Sequence, residues 1–203
     1  MYFVKAPSLL KKIYPEELIW KKETSDTVYL TFDDGPHPFA TQFALNELAK
    51  YDAKATFFCI GKNVANHPDI YAQILMAGHK VGNHTHTHLN GWKNKTDIYI
   101  QSIREANQFI QSDLFRPPYG RIRKNQAKEI TRLGYSIIMW DVLCGDFDTK
   151  ITPEKCWENI EQNIEPGSII VFHDSSKAWE RMQYALTHTL AFCQKQGWKM
   201  KTL

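Results

Sequence analysis

The sequence predicts a single α/β domain in which helices cover a parallel sheet, and seven strands would suit a barrel. Apolar runs rich in β-branched and aromatic residues alternate along the chain with segments of helical period. Such alternation is typical of parallel sheets with helices outside them. Several runs, such as Ile169-Ile170-Val171, are apolar at consecutive positions, as expected when both faces of a strand are buried.

The elements follow one another in a regular order. Strands are predicted at residues 27–32, 55–60, 80–83, 114–117, 136–140, 168–172 and 198–203. Helices are predicted at residues 39–50, 68–77, 96–112, 124–133, 153–164 and 178–196. Residues 1–26 are predicted to form an irregular cap with a short helix near residues 15–20, packed on a domain of residues 27–203.

The composition is typical of a folded protein without a strong charge bias. The 203 residues are 43% hydrophobic and 23% charged, which indicates one folded domain rather than a disordered chain. The net charge of +3 is spread along the sequence, so we expect no nucleic acid partner. The four cysteines form no Cys-x-x-Cys pair and are expected to be buried free thiols.

No stretch is long enough to cross a bilayer, and residues 1–22 lack the apolar core of a signal peptide. The sequence as given therefore predicts a cytoplasmic protein without membrane insertion. Export from a longer precursor is compatible with the same observation. We expect a monomer.

Two adjacent acids follow the first predicted strand, in the stretch Thr31-Phe32-Asp33-Asp34-Gly35-Pro36. Neighbouring carboxylates repel each other unless they share a cation or a proton. A metal site, a catalytic base or both would explain the pair. An acidic turn at the surface is the other interpretation that these residues leave open.

Histidines follow the third predicted strand in the series His84, His86 and His88. On a strand all three would face one side, whereas on a helical turn only His84 and His88 would. The preceding Gly82-Asn83 favours the turn. Together with one carboxylate of the acidic pair, the two histidines would form a His₂Asp set with an open coordination position, which is typical of catalytic metal sites.

Polar residues also lie at the ends of three later strands: Arg116, then Asp141 and Asp146, then His173 and Asp174. The carboxyl ends of strands in a parallel barrel form one rim, where catalytic groups collect. The sequence therefore predicts one polar site at this rim.

These motifs together resemble the polysaccharide deacetylase family with the NodB homology domain, carbohydrate esterase family 4. The matching stretches are Thr31 to Pro36, His84-Thr85-x-x-His88, Arg116-Pro117-Pro118-Tyr119, Trp140 to Phe147, and Val171-Phe172-His173. The resemblance implies a distorted (β/α)7-type barrel. It also implies a divalent metal, usually zinc with cobalt or another divalent ion as alternatives, and removal of acetyl groups from N-acetylated sugars.

The resemblance assigns the metal to Asp34, His84 and His88. Asp33 would be the general base that takes a proton from the attacking water. Arg116 would hold Asp33 in position. A bound metal lowers the pKa of water from about 16 to near 7, which makes hydroxide available at neutral pH.

The resemblance makes His173 the general acid that protonates the leaving amine, with Asp146 as its partner. The backbone N–H of Tyr119 would help to stabilise the oxyanion, and such a donor is worth about 3–4 kcal/mol in other enzymes. The residues along the substrate groove would be Pro117, Tyr119, Phe147 and Val171.

Three positions depart from the family pattern. Leu143 replaces the first acid of an Asp-x-x-Asp-Trp motif, Phe147 replaces its Trp, and Val171 stands where Leu is usual. These changes alter the groove wall and the pocket for the acetyl methyl group. His86, His37 and Asp174 are expected outside the metal site, with His37 and Asp174 supporting their loops through hydrogen bonds.

The predicted activity is therefore metal-dependent N-deacetylation of N-acetylglucosamine units in a chitin- or peptidoglycan-like glycan. A non-catalytic carbohydrate- or metal-binding module is one alternative. A deacetylase of O-acetyl esters or small amides is another. A two-carboxylate glycosidase fits poorly, because adjacent acids cannot flank a glycosidic bond at the required separation of about 5 Å or more.

Overall fold

The computed structural model describes residues 2–7 and 13–203. The strands are β1 (Leu18–Ile19), β2 (Thr27–Asp33), β3 (Ala55–Cys59), β4 (Lys80–Asn83), β5 (Leu114–Phe115), β6 (Ser136–Ile138), β7 (Val142–Leu143), β8 (Ile169–His173) and β9 (Lys199–Met200). The helices are α1 (Ala40–Lys50), α2 (Gly61–Asn66), α3 (Pro68–Met76), α4 (Thr96–Ala106), α5 (Lys124–Arg132), α6 (Pro153–Glu161) and α7 (Trp179–Lys195). A 3₁₀ turn, Pro118–Gly120, follows β5.

All strand pairs of the sheet are parallel, in the order β1-β6-β5-β4-β3-β2-β8-β7, and β9 pairs with the start of β2. The sheet curls into a barrel. The barrel is incomplete, because no ladder among the described residues joins β1 to β7. The predicted distorted barrel is confirmed. Asp33 is in register with His173 of β8, so these two residues lie side by side at the carboxyl rim.

The core lies in two layers outside the sheet and one small cluster inside it. One outer cluster packs α1, α6 and α7 against the central strands, and the other packs α4 and α5 against β5 and β6. Phe58, Leu114, Ile138 and Ile169 form the inner cluster. Burial of the central strands on both sides explains their continuous apolar runs.

Each of the seven strands and six helices predicted between residues 27 and 203 has an observed counterpart, although several are shorter. The predicted helix near residues 15–20 is wrong, because Leu18–Ile19 forms β1 and pairs with Ile137 and Ile138 of β6. Six residues are too few for a stable isolated helix, whereas pairing with β6 satisfies the backbone of an otherwise open edge. The prediction also lacked β7 and α2.

The described part of the N-terminal segment contacts the sheet near β7. Lys5 forms an antiparallel bridge with Val142, and its ammonium group lies 2.7 Å from a carboxylate oxygen of Asp141. The division into a cap and a domain at residue 26 stays a prediction. No helix in the described ranges is both long and apolar enough to cross a membrane. All four cysteines are buried and free, as predicted.

Gly82 of β4 offers a test of packing inside the barrel. A Cβ atom at this position would lie 2.4 Å from Cδ1 of Phe58, whose ring lies 4.1 Å from the guanidinium carbon of Arg116. We expect Gly82→Ala to lower the free energy of unfolding by about 1–3 kcal/mol, because Phe58 must move within a packed interior. Urea unfolding measures this change.

The matched control is Lys80→Ala, because Lys80 is exposed on the same strand. We expect this control to unfold within about 0.5 kcal/mol of the parent. Equal stability of the two variants would contradict the packing described for Phe58.

Candidate metal centre

The acidic pair lies at the carboxyl end of β2, where hydrogen bonds fix a sharp turn. Asp34 has a φ of 83°, which is uncommon for any residue other than glycine. Its carbonyl oxygen accepts a 2.7 Å hydrogen bond from Nδ2 of Asn63. The backbone N–H of Asp174 donates to the carbonyl of Asp33, and Gly35 donates its N–H to Oδ1 of Asp174. These bonds hold the backbone so that the two neighbouring carboxylates meet different partners.

Asp174 is a buried support of this turn. Its second oxygen accepts a hydrogen bond from the hydroxyl of Thr41. A Cβ on residue 35 would lie 2.0 Å from the Asp174 carboxylate, so the turn requires glycine there. Burial raises the pKa of Asp174 to about 8, and the nearby charge of Asp34 adds to that rise while the Thr41 hydrogen bond opposes it. The predicted supporting role of Asp174 is confirmed.

Asp34 points towards the two histidines that follow β4. Its Oδ1 lies 3.3 Å from Nε2 of His88 and 3.8 Å from Nε2 of His84. The potential ligand atoms of the three residues all lie within 4.8 Å of one another. Oδ1 is buried and has no hydrogen-bond partner among the described residues. A buried carboxylate oxygen is costly without a partner, and a divalent cation would supply one.

Both histidines favour the neutral form, which is the form that binds metal ions. Burial lowers the pKa of His84 well below its usual value, and His88 lowers it further. Burial also lowers the pKa of His88. The carbonyl of Arg116 lies 2.8 Å from Nδ1 of His84 and can only accept, so Nδ1 carries the proton and the Nε2 lone pair is free. The donor set therefore fits a divalent metal.

The loop between the histidines is held in an uncommon backbone conformation. Thr85 and His88 both have positive φ angles, of 63° and 57°. Such conformations cost about 1–3 kcal/mol each and are concentrated at functional sites. His86 faces another way and its ring stacks on Phe109. Of the two arrangements considered from the sequence, the structure therefore has the one in which only His84 and His88 converge.

One carboxylate oxygen of Asp33 lies in a cluster of fixed donors. Nη1 of Arg116 lies 2.7 Å from Oδ1 of Asp33 and 2.7 Å from the hydroxyl of Thr31. The guanidinium also donates to the carbonyls of Ile138 and Met139. Arg116 is fully buried, so these contacts, rather than water, stabilise its positive charge. The other oxygen of Asp33 lies 4.0 Å from Nε2 of His84, which places it beside the candidate metal centre.

His173 lies on the other side of the acidic pair and is paired with Asp146. Nδ1 of His173 lies 2.7 Å from Oδ1 of Asp146, and the His173 backbone N–H donates to Oδ2 at 2.7 Å. Burial alone would lower the pKa of His173. The charge and hydrogen bond of Asp146, together with Asp34 and Asp33, instead raise it to about 9. The imidazole is therefore protonated at neutral pH.

The predicted groove residues lie in different surroundings. Tyr119 is 60% exposed, has a φ of 60°, and places its hydroxyl 3.2 Å from Nδ1 of His88. Phe147 is half-buried and its ring lies 5.1 Å from that of His173. Pro117 and Val171 are buried. Contact of these four residues with a substrate stays a prediction.

Sequence reasoning missed two residues near the site. Asn63 binds the carbonyl of Asp34 from α2, immediately after β3. The signal was available, since a polar residue follows this strand end as others follow the neighbouring strands. Tyr2 packs its ring 5.0 Å from Phe147, but nothing in the sequence indicates that the N-terminus reaches this rim.

Comparison with known proteins shows which family the chain resembles. The family model described as polysaccharide deacetylase matches residues 21–138. Two curated proteins of Bacillus cereus named peptidoglycan-N-acetylglucosamine deacetylase are similar to the chain. One is 30% identical over 203 residues, covering 96% of this chain and 95% of that protein. The other is 35% identical over 154 residues, which are 73% of this chain but only 56% of that protein's length.

A solved structure is also similar over nearly the whole chain. It is a peptidoglycan N-acetylglucosamine deacetylase in complex with 4-naphthalen-1-yl-N-oxidanyl-benzamide. The TM-score is 0.88 and the sequence identity is 30%, with 98% of this chain and 95% of the solved chain covered.

The hydrogen bond from Asn63 to the Asp34 carbonyl can be tested by metal binding. We expect Asn63→Ala to weaken binding of Zn²⁺ by about tenfold or more, because loss of this contact lets Asp34, a candidate ligand, move. Competition with a chromophoric chelator measures the affinity without any assay of activity.

Asn66→Ala is the matched control, since Asn66 is an exposed residue of the same helix. The control should bind Zn²⁺ as tightly as the parent protein. Equal affinities for all three proteins would show that Asn63 does not position the ligand.

Proposed function

The chain belongs to the polysaccharide deacetylase family, and from this premise we propose that it removes acetyl groups from N-acetylglucosamine units of an oligo- or polysaccharide. One observation carries the proposal. A candidate metal triad, a carboxylate fixed by a buried arginine and a protonated histidine meet at a single rim of the barrel. Amide hydrolysis needs an activated water, a base and an acid, and this rim offers a group for each task.

We propose that Asp34, His84 and His88 hold the cation and that the cation is zinc. Three protein ligands with one position left open are typical of catalytic zinc sites, although cobalt and other divalent ions can share the same ligands. When bound, the cation would supply a Lewis acid that activates water and polarises the acetyl carbonyl. The free Oδ1 of Asp34 and the neutral pair of histidines support this assignment.

Asp33 is the proposed general base. Its Oδ1 is held by Arg116, which leaves Oδ2 on the side of His84 to accept a proton from the attacking water. Arg116 is a positioning residue in this scheme. Four contacts to oxygen atoms, with the Phe58 ring beneath the guanidinium, restrict its motion and hence that of Asp33.

His173 is the proposed general acid. An amine leaves readily only when it is protonated, and His173 carries the required proton at neutral pH because Asp146 faces its other nitrogen. The backbone N–H of Tyr119 is the proposed oxyanion donor. The positive φ of Tyr119 is consistent with a backbone held for a specific purpose.

The alternative of a non-catalytic binding module explains fewer of these contacts. Binding a cation or a sugar requires neither the buried Arg116–Asp33 pair nor a histidine held protonated by a buried carboxylate. Binding of an acetylated glycan by metal-loaded protein without release of acetate would favour that alternative.

Substitution of the proposed base separates catalysis from metal binding. We expect Asp33→Asn to lower kcat for acetate release from N-acetylated chito-oligosaccharides by about 10²–10⁴-fold, because the proton acceptor is lost. Its zinc content should match that of the parent, since Asp33 lies outside the metal triad. Acetate assays and metal analysis on the same samples measure both quantities.

Asp52→Asn is the control, because the side chain of Asp52 is fully exposed and distant from the rim. Chelation should stop the parent enzyme, and added Zn²⁺ should restore it. Activity that survives chelation, or a fully active Asp33→Asn variant, would contradict the proposed function.

The pairing of His173 with Asp146 predicts a specific pH dependence. The general acid works when protonated, so its contribution is present below its pKa of about 9 and is lost as pH rises through that value. Asp146→Asn removes the charge that raises this pKa. We therefore expect the alkaline limb of kcat/KM to move to lower pH by about 1–3 units. An unchanged alkaline limb would show that another group determines it.

A further inference from the structure

A groove of about 520 Å³ lies next to the candidate active site. It is lined by Tyr2, Phe147, Asp148, Thr149, Lys150 and Lys177. The volume is within the range of small-molecule sites, about 300–1,000 Å³. Of these six residues, only Phe147 has been given a role above.

The aromatic wall of the groove is continuous with the site. The Phe147 ring contacts the His173 ring edge-to-face at 5.1 Å, and the Tyr2 ring contacts Phe147 in the same way at 5.0 Å. The Tyr2 hydroxyl donates to Oδ2 of Asp148 at 3.2 Å, which ties the N-terminal segment to the loop after β7. A sugar bound against this wall would therefore be adjacent to the residue proposed to protonate the leaving amine.

The groove also has an excess of positive charge. Lys150 and Lys177 face a single carboxylate, that of Asp148. The oxygens of Asp148 already accept hydrogen bonds from the Lys150 backbone and the Tyr2 hydroxyl, and the first of these bonds is the main reason that its pKa is lowered. Neither lysine forms an ion pair within the described ranges. Both ammonium groups are thus available to an anionic ligand.

We propose that this groove is a subsite for a carboxylate-bearing sugar, so that the enzyme favours acidic acetylated glycans over neutral ones. The inference rests on the proposed function and deepens it. The aromatic rings would contact the apolar face of a pyranose, and the lysines would attract its carboxylate. A neutral chitin chain offers these lysines no charge to bind.

The test compares one glycan in two charge states. The acidic probe is a tetrasaccharide of alternating N-acetylglucosamine and N-acetylmuramic acid, and the neutral probe is the same tetrasaccharide with its carboxylates converted to amides. The parent should have a lower KM for the acidic probe, and the difference should shrink as salt is raised. Lys150→Gln combined with Lys177→Gln should raise KM for the acidic probe by about 3- to 30-fold. KM for the amidated probe should change less than about twofold, since that probe has no charge to lose.

The charge-matched control is Lys124→Gln combined with Lys128→Gln. These two exposed lysines line a different groove, beside Tyr14 and Glu17. The control should leave both KM values unchanged. Equal effects of the two lysine pairs, or equal effects on the two probes, would overturn the proposed subsite.

Binding to metal-free protein keeps this test separate from catalysis. Calorimetry should show tighter binding of the acidic probe than of the amidated probe, and the Lys150→Gln/Lys177→Gln variant should lose the difference. This result together with no release of acetate would contradict the proposed function but support the subsite. Indistinguishable binding of the two probes would overturn the subsite whatever the activity.

Discussion

The buried ion pair between Arg116 and Asp33 is the contact on which the rest of the site depends. A fully buried guanidinium is tolerated only when its charge and hydrogen bonds are matched, and Asp33, Thr31 and two backbone carbonyls provide that match. The pair turns Asp33 inward from the end of β2. With Asp33 committed to Arg116, the next residue, Asp34, is free to face the histidines. Two carboxylates one residue apart thus avoid each other by having different partners.

Much of the fold could be predicted because it follows from local patterns. Continuous apolar runs such as Ile169-Ile170-Val171 indicated strands buried on both faces, and the amphipathic segments between them indicated the outer helices. The short pieces could not be predicted in this way. Leu18–Ile19 and Val142–Leu143 contain two residues each, too few for a period, and they are strands only because their partners lie beside them in the folded chain.

The sequence predicted those residues of the candidate site that lie at strand ends. Parallel strands bring their carboxyl ends to one rim, so Asp34, His84 and His173 could be expected together. The contacts that orient them were less visible. Asn63 acts through a backbone carbonyl, and Tyr2 reaches Phe147 from the far end of the chain. The position of Asn63 after a strand end was a visible signal, but which atom it contacts, and the contact of Tyr2, depend on tertiary geometry.

The central claim is that Asp34 binds the metal while its neighbour Asp33 does not. Anomalous diffraction from zinc-soaked crystals tests this claim most directly. The account predicts one strong peak at about 2.0–2.2 Å from Oδ1 of Asp34 and from Nε2 of both His84 and His88. Asp33 should remain paired with Arg116 and outside the coordination sphere. A peak bonded to Asp33 in place of Asp34, or located away from the two histidines, would contradict the account.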